Sequence, residues 1–68
     1  MNIDWDKLIE EHYLSACKIN PEYDKKYSRE EMKNWFYSLI NKGRKKDVLM
    51  FLEGSTHANN NGYVYHPV

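Results

Sequence analysis

Two stretches of this chain place apolar residues at the spacing of one helix face, and a proline lies between them. Residues 4 to 19 carry Trp5, Leu8, Ile9, Tyr13 and Ala16. Residues 28 to 42 carry Met32, Trp35, Phe36, Leu39 and Ile40. Apolar positions that recur every three or four residues are typical of an amphipathic helix with one buried face. Because Pro21 lacks a backbone donor and disfavours helical geometry at the residue before it, the first helix is predicted to end by Ile19.

The polar residues at the ends of these stretches support the same boundaries. Asp4 or Asn2 is suited to cap the first helix, and Asn20 is suited to cap a single turn that begins at Pro21. Ser28 and Glu31 have the spacing of a capping box, in which each side chain binds the backbone N–H of the other residue. Gly43 suits the left-handed residue that follows a helix. We therefore expect a second helix that runs from Ser28 to Lys42.

Residues 44 to 53 allow two interpretations, because the run from Val48 to Leu52 is apolar without a break. Arg, Lys, Leu, Met and Glu are good helix formers, and Gly54 is a suitable stop, so the sequence favours a third helix. The alternative pairs residues 47–52 with residues 63–65 as an antiparallel β-hairpin. Asn61-Gly62 would suit the turn of such a hairpin.

The last part of the chain is predicted to lie outside the helical domain. Residues 55–62 are polar and too poor in apolar groups to fold alone, whereas residues 63–68 are aromatic and β-branched. We thus predict an all-α fold, a small three-helix domain over residues 1–54 with a polar loop and an irregular aromatic C-terminal tail over residues 55–68. Two helices plus a C-terminal β-hairpin remain the alternative.

Size and charge narrow the classes of function. The chain has 68 residues, a formal net charge of zero and a single cysteine, Cys17. A domain of this size is near the lower limit for folding without a staple, and one cysteine cannot form an internal disulfide. Zero net charge disfavours general attraction to nucleic acid or anionic membranes. An acidic start and the lack of a long apolar run predict a cytoplasmic protein without a membrane span.

The sequence shows no arrangement that is typical of catalysis or of metal binding. His12 and Cys17 are five residues apart on one predicted helix and diverge around it, and His57 and His66 lie in the tail. The neighbouring acidic residues, such as Glu10 and Glu11, also diverge and are expected to be solvated. No glycine-rich phosphate loop is present. We therefore predict a non-enzymatic protein with no cofactor and no metal.

A basic run supports the less favoured of two binding functions. It consists of Lys42, Arg44, Lys45 and Lys46. Helix-turn-helix domains place basic residues near such a corner between helices, so nucleic-acid binding is the alternative function. The run is followed by Asp47 and an apolar stretch, which cannot present the polar groups that read base edges. Nucleic acid is therefore the less favoured partner.

The aromatic residues provide the remaining signal, because this short chain contains two Trp, six Tyr and two Phe. The helical stripes assign Trp5, Tyr13, Trp35, Phe36 and Phe51 to the core, and Tyr23 and Tyr27 to positions over helix ends. The residues that fit those stripes less well are Leu14, Tyr37, Met50, Tyr63 and Tyr65. Exposed together, they would form the apolar centre of an interface. We expect a protein-interaction module that binds a larger protein as an inhibitor or adaptor, or self-associates, and that originates from a phage or mobile element.

Overall fold

The computed structural model describes residues 2–63. It contains four helices: α1 (Trp5–Ile19), α2 (Tyr23–Lys26), α3 (Arg29–Asn41) and α4 (Lys45–Asn60). Three helices are long, and α2 is a single turn. No strand occurs within residues 2–63. The prediction of a small all-α domain is therefore confirmed.

Local capping interactions fix the ends of the helices. The Asp4 side chain accepts a hydrogen bond from the Lys7 N–H at 3.2 Å, and Ser28 Oγ accepts one from the Glu31 N–H at 3.1 Å. The Asn20 side chain accepts a bond from the Glu22 N–H at 3.1 Å. Gly43 has a φ of 87°, so it adopts the left-handed conformation that the sequence predicted for it. These contacts explain why the predicted starts of α1 and α3 are right to within a residue.

The three long helices form a bundle in which α3 runs against the other two. Asp6 contacts Tyr37 and Glu10 contacts Arg29, which makes α1 and α3 antiparallel. Lys18 contacts Asn60, so α1 and α4 run in the same direction. The buried core contains Ile9, Tyr13, Met32, Phe36, Ile40, Val48 and Leu52.

The predicted end of the third helix at Gly54 is wrong, because α4 continues to Asn60. The polar residues beyond Gly54 are helical because they pack against α1. Ser55 and Ala58 are buried, and Asn59 Nδ2 donates a hydrogen bond to Ser15 Oγ at 3.1 Å. Packing against a neighbouring helix stabilises a segment that has little helical preference of its own.

The alternative β-hairpin is also wrong, because residues 47–52 lie inside α4. Asn61-Gly62 does not form a hairpin turn but ends α4. Gly62 has a φ of 75°, and its N–H donates to the carbonyl of Asn59, while the Tyr63 N–H donates to the carbonyl of Ala58. This is the Schellman motif, a common helix C-terminus. Asn-Gly suits both structures because both need a left-handed residue.

Of the five aromatic residues that the sequence assigned to the core, Trp35 is the one that the structure exposes. Phe36 and Tyr13 are buried and Trp5 and Phe51 are half-buried against the core, but the Trp35 side chain is 56% exposed. The buried face of α3 is centred on Met32, Phe36 and Ile40. Trp35 therefore lies about 100° from Phe36 around the helix, at the edge of that face. The assignment of Trp35 to the core was wrong for this reason.

Candidate functional site

An open cleft of about 560 Å³ lies beside Trp35 and involves all four helical segments. It is lined by His12, Tyr23, Tyr27, Glu31, Met32, Trp35, Phe36 and Phe51. We call this surface the aromatic cleft. Its lining is mainly apolar, and Glu31 is the one acidic side chain among the described residues that line it. Concave apolar surfaces of this size are the usual locations of binding sites in proteins.

The aromatic cleft continues toward the C-terminal end of α4. A neighbouring depression of about 300 Å³ shares His12, Tyr23 and Phe51 with it and extends to Ser55 and Asn59. We call this depression the upper cleft. On the other side of Trp35, a third depression of about 290 Å³ reaches Leu39 and Val48 between α3 and α4. Apolar surface is therefore accessible from the groove between α3 and α4 to the groove between α1 and α4.

Trp35 and Tyr27 are the exposed aromatic residues of the aromatic cleft. The Trp35 ring meets Phe36 edge to face, with 4.9 Å between their centroids. Tyr27 is 47% exposed, and its ring lies 5.2 Å from that of Tyr23. The backbone carbonyl of Tyr27 accepts a hydrogen bond from the Tyr13 hydroxyl at 3.0 Å. Both aromatic side chains are thus held by packed neighbours and present large apolar areas to solvent, as interface anchors do.

His12 contributes a buried polar group to the wall shared by the two clefts. Its ring makes edge contacts with Phe36 and Phe51, at centroid distances of 5.8 and 5.4 Å. Within residues 2–63 its buried Nδ1 has no hydrogen-bond partner. Burial lowers the pKa of His12 below its ordinary value, so the imidazole is neutral at pH 7.

The opposite side of α3 differs from the cleft because polar contacts join it to α1. The Tyr37 hydroxyl donates to Asp6 Oδ1 at 2.6 Å, and Lys33 forms an ion pair with the same carboxylate at 3.3 Å. Arg29 pairs with Glu10 at 3.2 Å. The hydrogen bond to Asp6 raises the pKa of Tyr37 to about 12, and it is also the main reason why the pKa of Asp6 is lowered. These side chains connect two helices.

The four described residues of the predicted interface are not among the residues that line the aromatic cleft. Leu14, Met50 and Tyr63 are exposed. Leu14 and Met50 lie away from the buried faces of α1 and α4, and the Tyr63 ring lies 6.0 Å from that of His57. Tyr37 is half-buried and bound to Asp6. Tyr65 lies outside the described residues, so its predicted role stays a prediction.

Sequence reasoning missed Trp35 and Tyr27 as candidate binding residues. The available signal was the adjacency of Trp35 and Phe36, because neighbouring residues point about 100° apart and cannot both occupy the centre of a narrow buried face. Tyr27 gave a weaker signal, because a residue in a short connection has no periodicity. Its exposure depends on how α2 packs against α1.

The residues of the basic run are all exposed at the corner between α3 and α4. Arg44 forms an ion pair with Asp47, with 3.3 Å between Nε and Oδ2. This contact partly neutralises the corner, and the three lysines, Lys42, Lys45 and Lys46, carry the remaining positive charge. Their role in nucleic-acid binding stays a prediction.

Within residues 2–63 no three His, Cys, Asp or Glu side chains come together as a possible metal site. Cys17 is a free, half-buried thiol that packs against the core. In the same part of the chain, no helix has the length and apolar character needed to cross a membrane.

Comparisons with protein-family models, with curated proteins and with solved structures find no match to this chain.

Proposed function

We propose that this protein is a small non-enzymatic interaction module that binds a larger protein through the aromatic cleft. The observation that supports this function best is the exposure of Trp35 beside the cleft. A tryptophan that is 56% exposed and packed on a buried phenylalanine offers a large, rigid contact area. Such residues account for much of the binding energy in protein interfaces.

The chemistry of the cleft indicates the kind of surface that the partner presents. Five of its lining side chains, Tyr23, Tyr27, Trp35, Phe36 and Phe51, are aromatic, and Met32 adds a flexible thioether. Charge is scarce along this wall, so the partner is expected to insert aliphatic or aromatic side chains. Glu31 at the margin favours a basic group beside them. Binding of this kind suits an inhibitor or adaptor, which acts by covering a surface of its partner.

The proposal can be tested by comparing immobilised variants in a lysate of the cells that produce this protein. The baits are the wild type, Trp35→Ala and, as a matched control, Met50→Ala, which removes an exposed apolar residue away from the cleft. We expect the wild type and Met50→Ala to retain the same protein. Trp35→Ala should retain at least about tenfold less, since loss of an interface anchor costs about 2 kcal/mol or more.

Two outcomes would contradict this function. One is equal retention by all three baits, and the other is retention of nucleic acid that is lost when Lys42, Lys45 and Lys46 are changed together to Ala. The second outcome would support the alternative, and binding should then weaken steeply with added salt. Circular dichroism of each bait checks that the helices are intact.

A further inference from the structure

We propose that the free protein pairs with a second copy of itself through the outer face of α3, with the two α3 helices antiparallel about a twofold axis. The outer face consists of Glu31, Trp35, Ser38 and Lys42, all of which are exposed. The pairing shares Trp35 with the proposed function, so a larger protein at the aromatic cleft would compete with the second copy. It requires no protein other than this chain, and either proposal can hold without the other.

The four residues of the outer face lie on one side of α3. At about 100° per residue, they fall within about 60° of one another around the helix axis. Lys42 belongs to this row although α3 ends at Asn41, because its N–H donates to the carbonyl of Ser38 at 3.2 Å and continues the helical pattern by one residue. The buried residues of α3 occupy a different side of the helix. The outer face is therefore a surface that the bundle itself leaves open.

The order of the residues along the outer face is self-complementary. Glu31 precedes Trp35 by four positions, and Lys42 follows Ser38 by four. When two such helices meet antiparallel, with the axis between Trp35 and Ser38, each Trp35 faces Ser38 of the other copy. Each Glu31 then faces Lys42 of the other copy. A twofold contact has to match one patch with itself in this way, and the small side chain of Ser38 leaves room for the opposite indole.

The charged groups at the two ends of the outer face are available for this contact. Arg29 and Lys33, also on α3, form ion pairs with α1. In contrast, the side chains of Glu31 and Lys42 form no ion pair within the described residues 2–63. Antiparallel pairing places each free carboxylate beside a free ammonium group and opposes the two helix dipoles favourably. A chain with zero net charge adds no overall repulsion between copies.

Trp35 supplies the apolar part of the contact. Its side chain is 56% exposed in the single chain, and two such side chains lie on either side of the twofold axis. Burial of exposed aromatic surface at the centre of a contact is typical of interface anchors. One pair of helices buries less surface than the roughly 800 Å² per partner of a stable complex. We therefore expect a weak dimer, which a larger protein can displace.

Sedimentation equilibrium of the purified full chain, at concentrations up to about 1 mM, tests this pairing. We expect the wild type to dimerise over this range. Glu31→Lys should weaken dimerisation at least about tenfold, because it sets like charges against each other at both ends of the pair. Lys42→Glu should have the same effect. The matched control is Glu53→Lys, which reverses the charge of an exposed residue of α4 and should dimerise like the wild type.

Recombining the reversed charges gives the sharpest test. Glu31→Lys together with Lys42→Glu restores opposite charges at both ends, so the double variant should dimerise again. An equimolar mixture of the two single variants should form mixed dimers at concentrations where neither variant dimerises alone. Because the double variant carries both substitutions, damage to the fold cannot account for this recovery.

A wild type that stays monomeric at every concentration would overturn the proposal. So would a dimer that survives both single reversals, or one that neither the double variant nor the mixture regains. Since only purified protein is used, such a failure would leave the proposed function standing. Equal retention by all three baits in the lysate would remove the proposed function and leave the measured dimer unaffected.

Discussion

The two sides of α3 differ in how they are closed, and this difference suggests where the protein binds. Toward α1, Tyr37, Lys33 and Arg29 reach acidic residues of the neighbouring helix. Toward α4, within residues 2–63, no side-chain hydrogen bond or ion pair joins the two helices, and apolar rings line open depressions instead. The depression of about 350 Å³ on that side is lined mainly by charged side chains, most of which are already paired with one another, so it offers a partner little apolar surface. The apolar side exposes surface that soluble domains usually hide.

Neighbouring residues of α3 show the same contrast on a smaller scale. Phe36 is 1% exposed and joins the rings of His12 and Phe51 in the core. Trp35 precedes it and extends to the cleft. We therefore expect Phe36 to be important for stability and Trp35 for binding, although both are large aromatic residues.

The largest expected effect separates these two residues by stability. Phe36→Ala should lower the free energy of unfolding by about 3–5 kcal/mol, because it leaves a cavity at the centre of the core. Trp35→Ala should lower it by about 1 kcal/mol, since more than half of that side chain is already exposed. Urea unfolding of the two variants and the wild type measures both values. Equal losses would show that Trp35 is a core residue after all and would remove the contrast.

A smaller effect is expected at the closed contact between α1 and α4. Ser15 Oγ donates to the carbonyl of His12 at 2.7 Å and accepts a bond from Asn59. Ser15→Ala should therefore destabilise the protein by about 1 kcal/mol, because it removes both bonds and leaves the Asn59 amide without this acceptor. Ser38→Ala, at an exposed position of α3, is the matched control and should change the urea midpoint little. No difference between the two variants would mean that the polar end of α4 is held by other contacts.

His12 predicts how stability depends on pH. Its folded pKa lies below the unfolded value near 6.5, so the unfolded chain binds the proton first as the pH falls. Above pH 7, His12 should add no pH dependence to the free energy of unfolding. Below about pH 6.5 that free energy should fall with pH, until the pH reaches the pKa of His12 in the folded protein. Melting temperatures of the wild type and His12→Phe between pH 7.5 and 5 measure this. The variant should lose less stability than the wild type over this range.

A matching pH dependence of the wild type and His12→Phe would contradict the burial of a neutral imidazole at the cleft. In that case the wall formed by His12, Phe36 and Phe51 would be more hydrated than its packing indicates.

How much of this architecture can be predicted from sequence depends on how local its causes are. The starts of α1 and α3 are predictable because Asp4 and Ser28 act within three residues. The last turns of α4 are not predictable in this way, because Ser55, Ala58 and Asn59 are helical through contact with α1. Asn59, for example, bonds to Ser15, which is 44 positions earlier in the sequence. The cleft was missed for a similar reason, since its walls come from four separate segments. Only the position of Trp35 at the margin of a stripe was visible locally.

The smallest expected effect concerns the contact between Tyr37 of α3 and Asp6 of α1, and it is measured as a change in the pKa of Tyr37. Asp6→Ala should lower the pKa of Tyr37 from about 12 toward its ordinary value of 10.0, because the carboxylate that accepts its hydrogen bond is lost. NMR of ring-labelled tyrosine follows this ionisation. The control is Asp47→Ala, which removes a carboxylate in the first turn of α4 that pairs with Arg44 and should leave the pKa of Tyr37 unchanged. An unchanged value in Asp6→Ala would indicate that Tyr37 is free to join Leu14 and Met50 in an exposed interface.

Fluorine NMR of protein labelled with 5-fluorotryptophan tests whether a partner binds at Trp35, because the two tryptophans lie on different helices, Trp5 on α1 and Trp35 on α3, and give two signals. The two signals are assigned with the variants Trp5→Phe and Trp35→Phe. The protein that the wild-type bait retains from the lysate is then added, and the spectrum is recorded again. We predict that the Trp35 signal shifts or broadens on binding while the Trp5 signal stays in place. A complex that perturbs Trp5 alone, or neither residue, would contradict binding through the aromatic cleft.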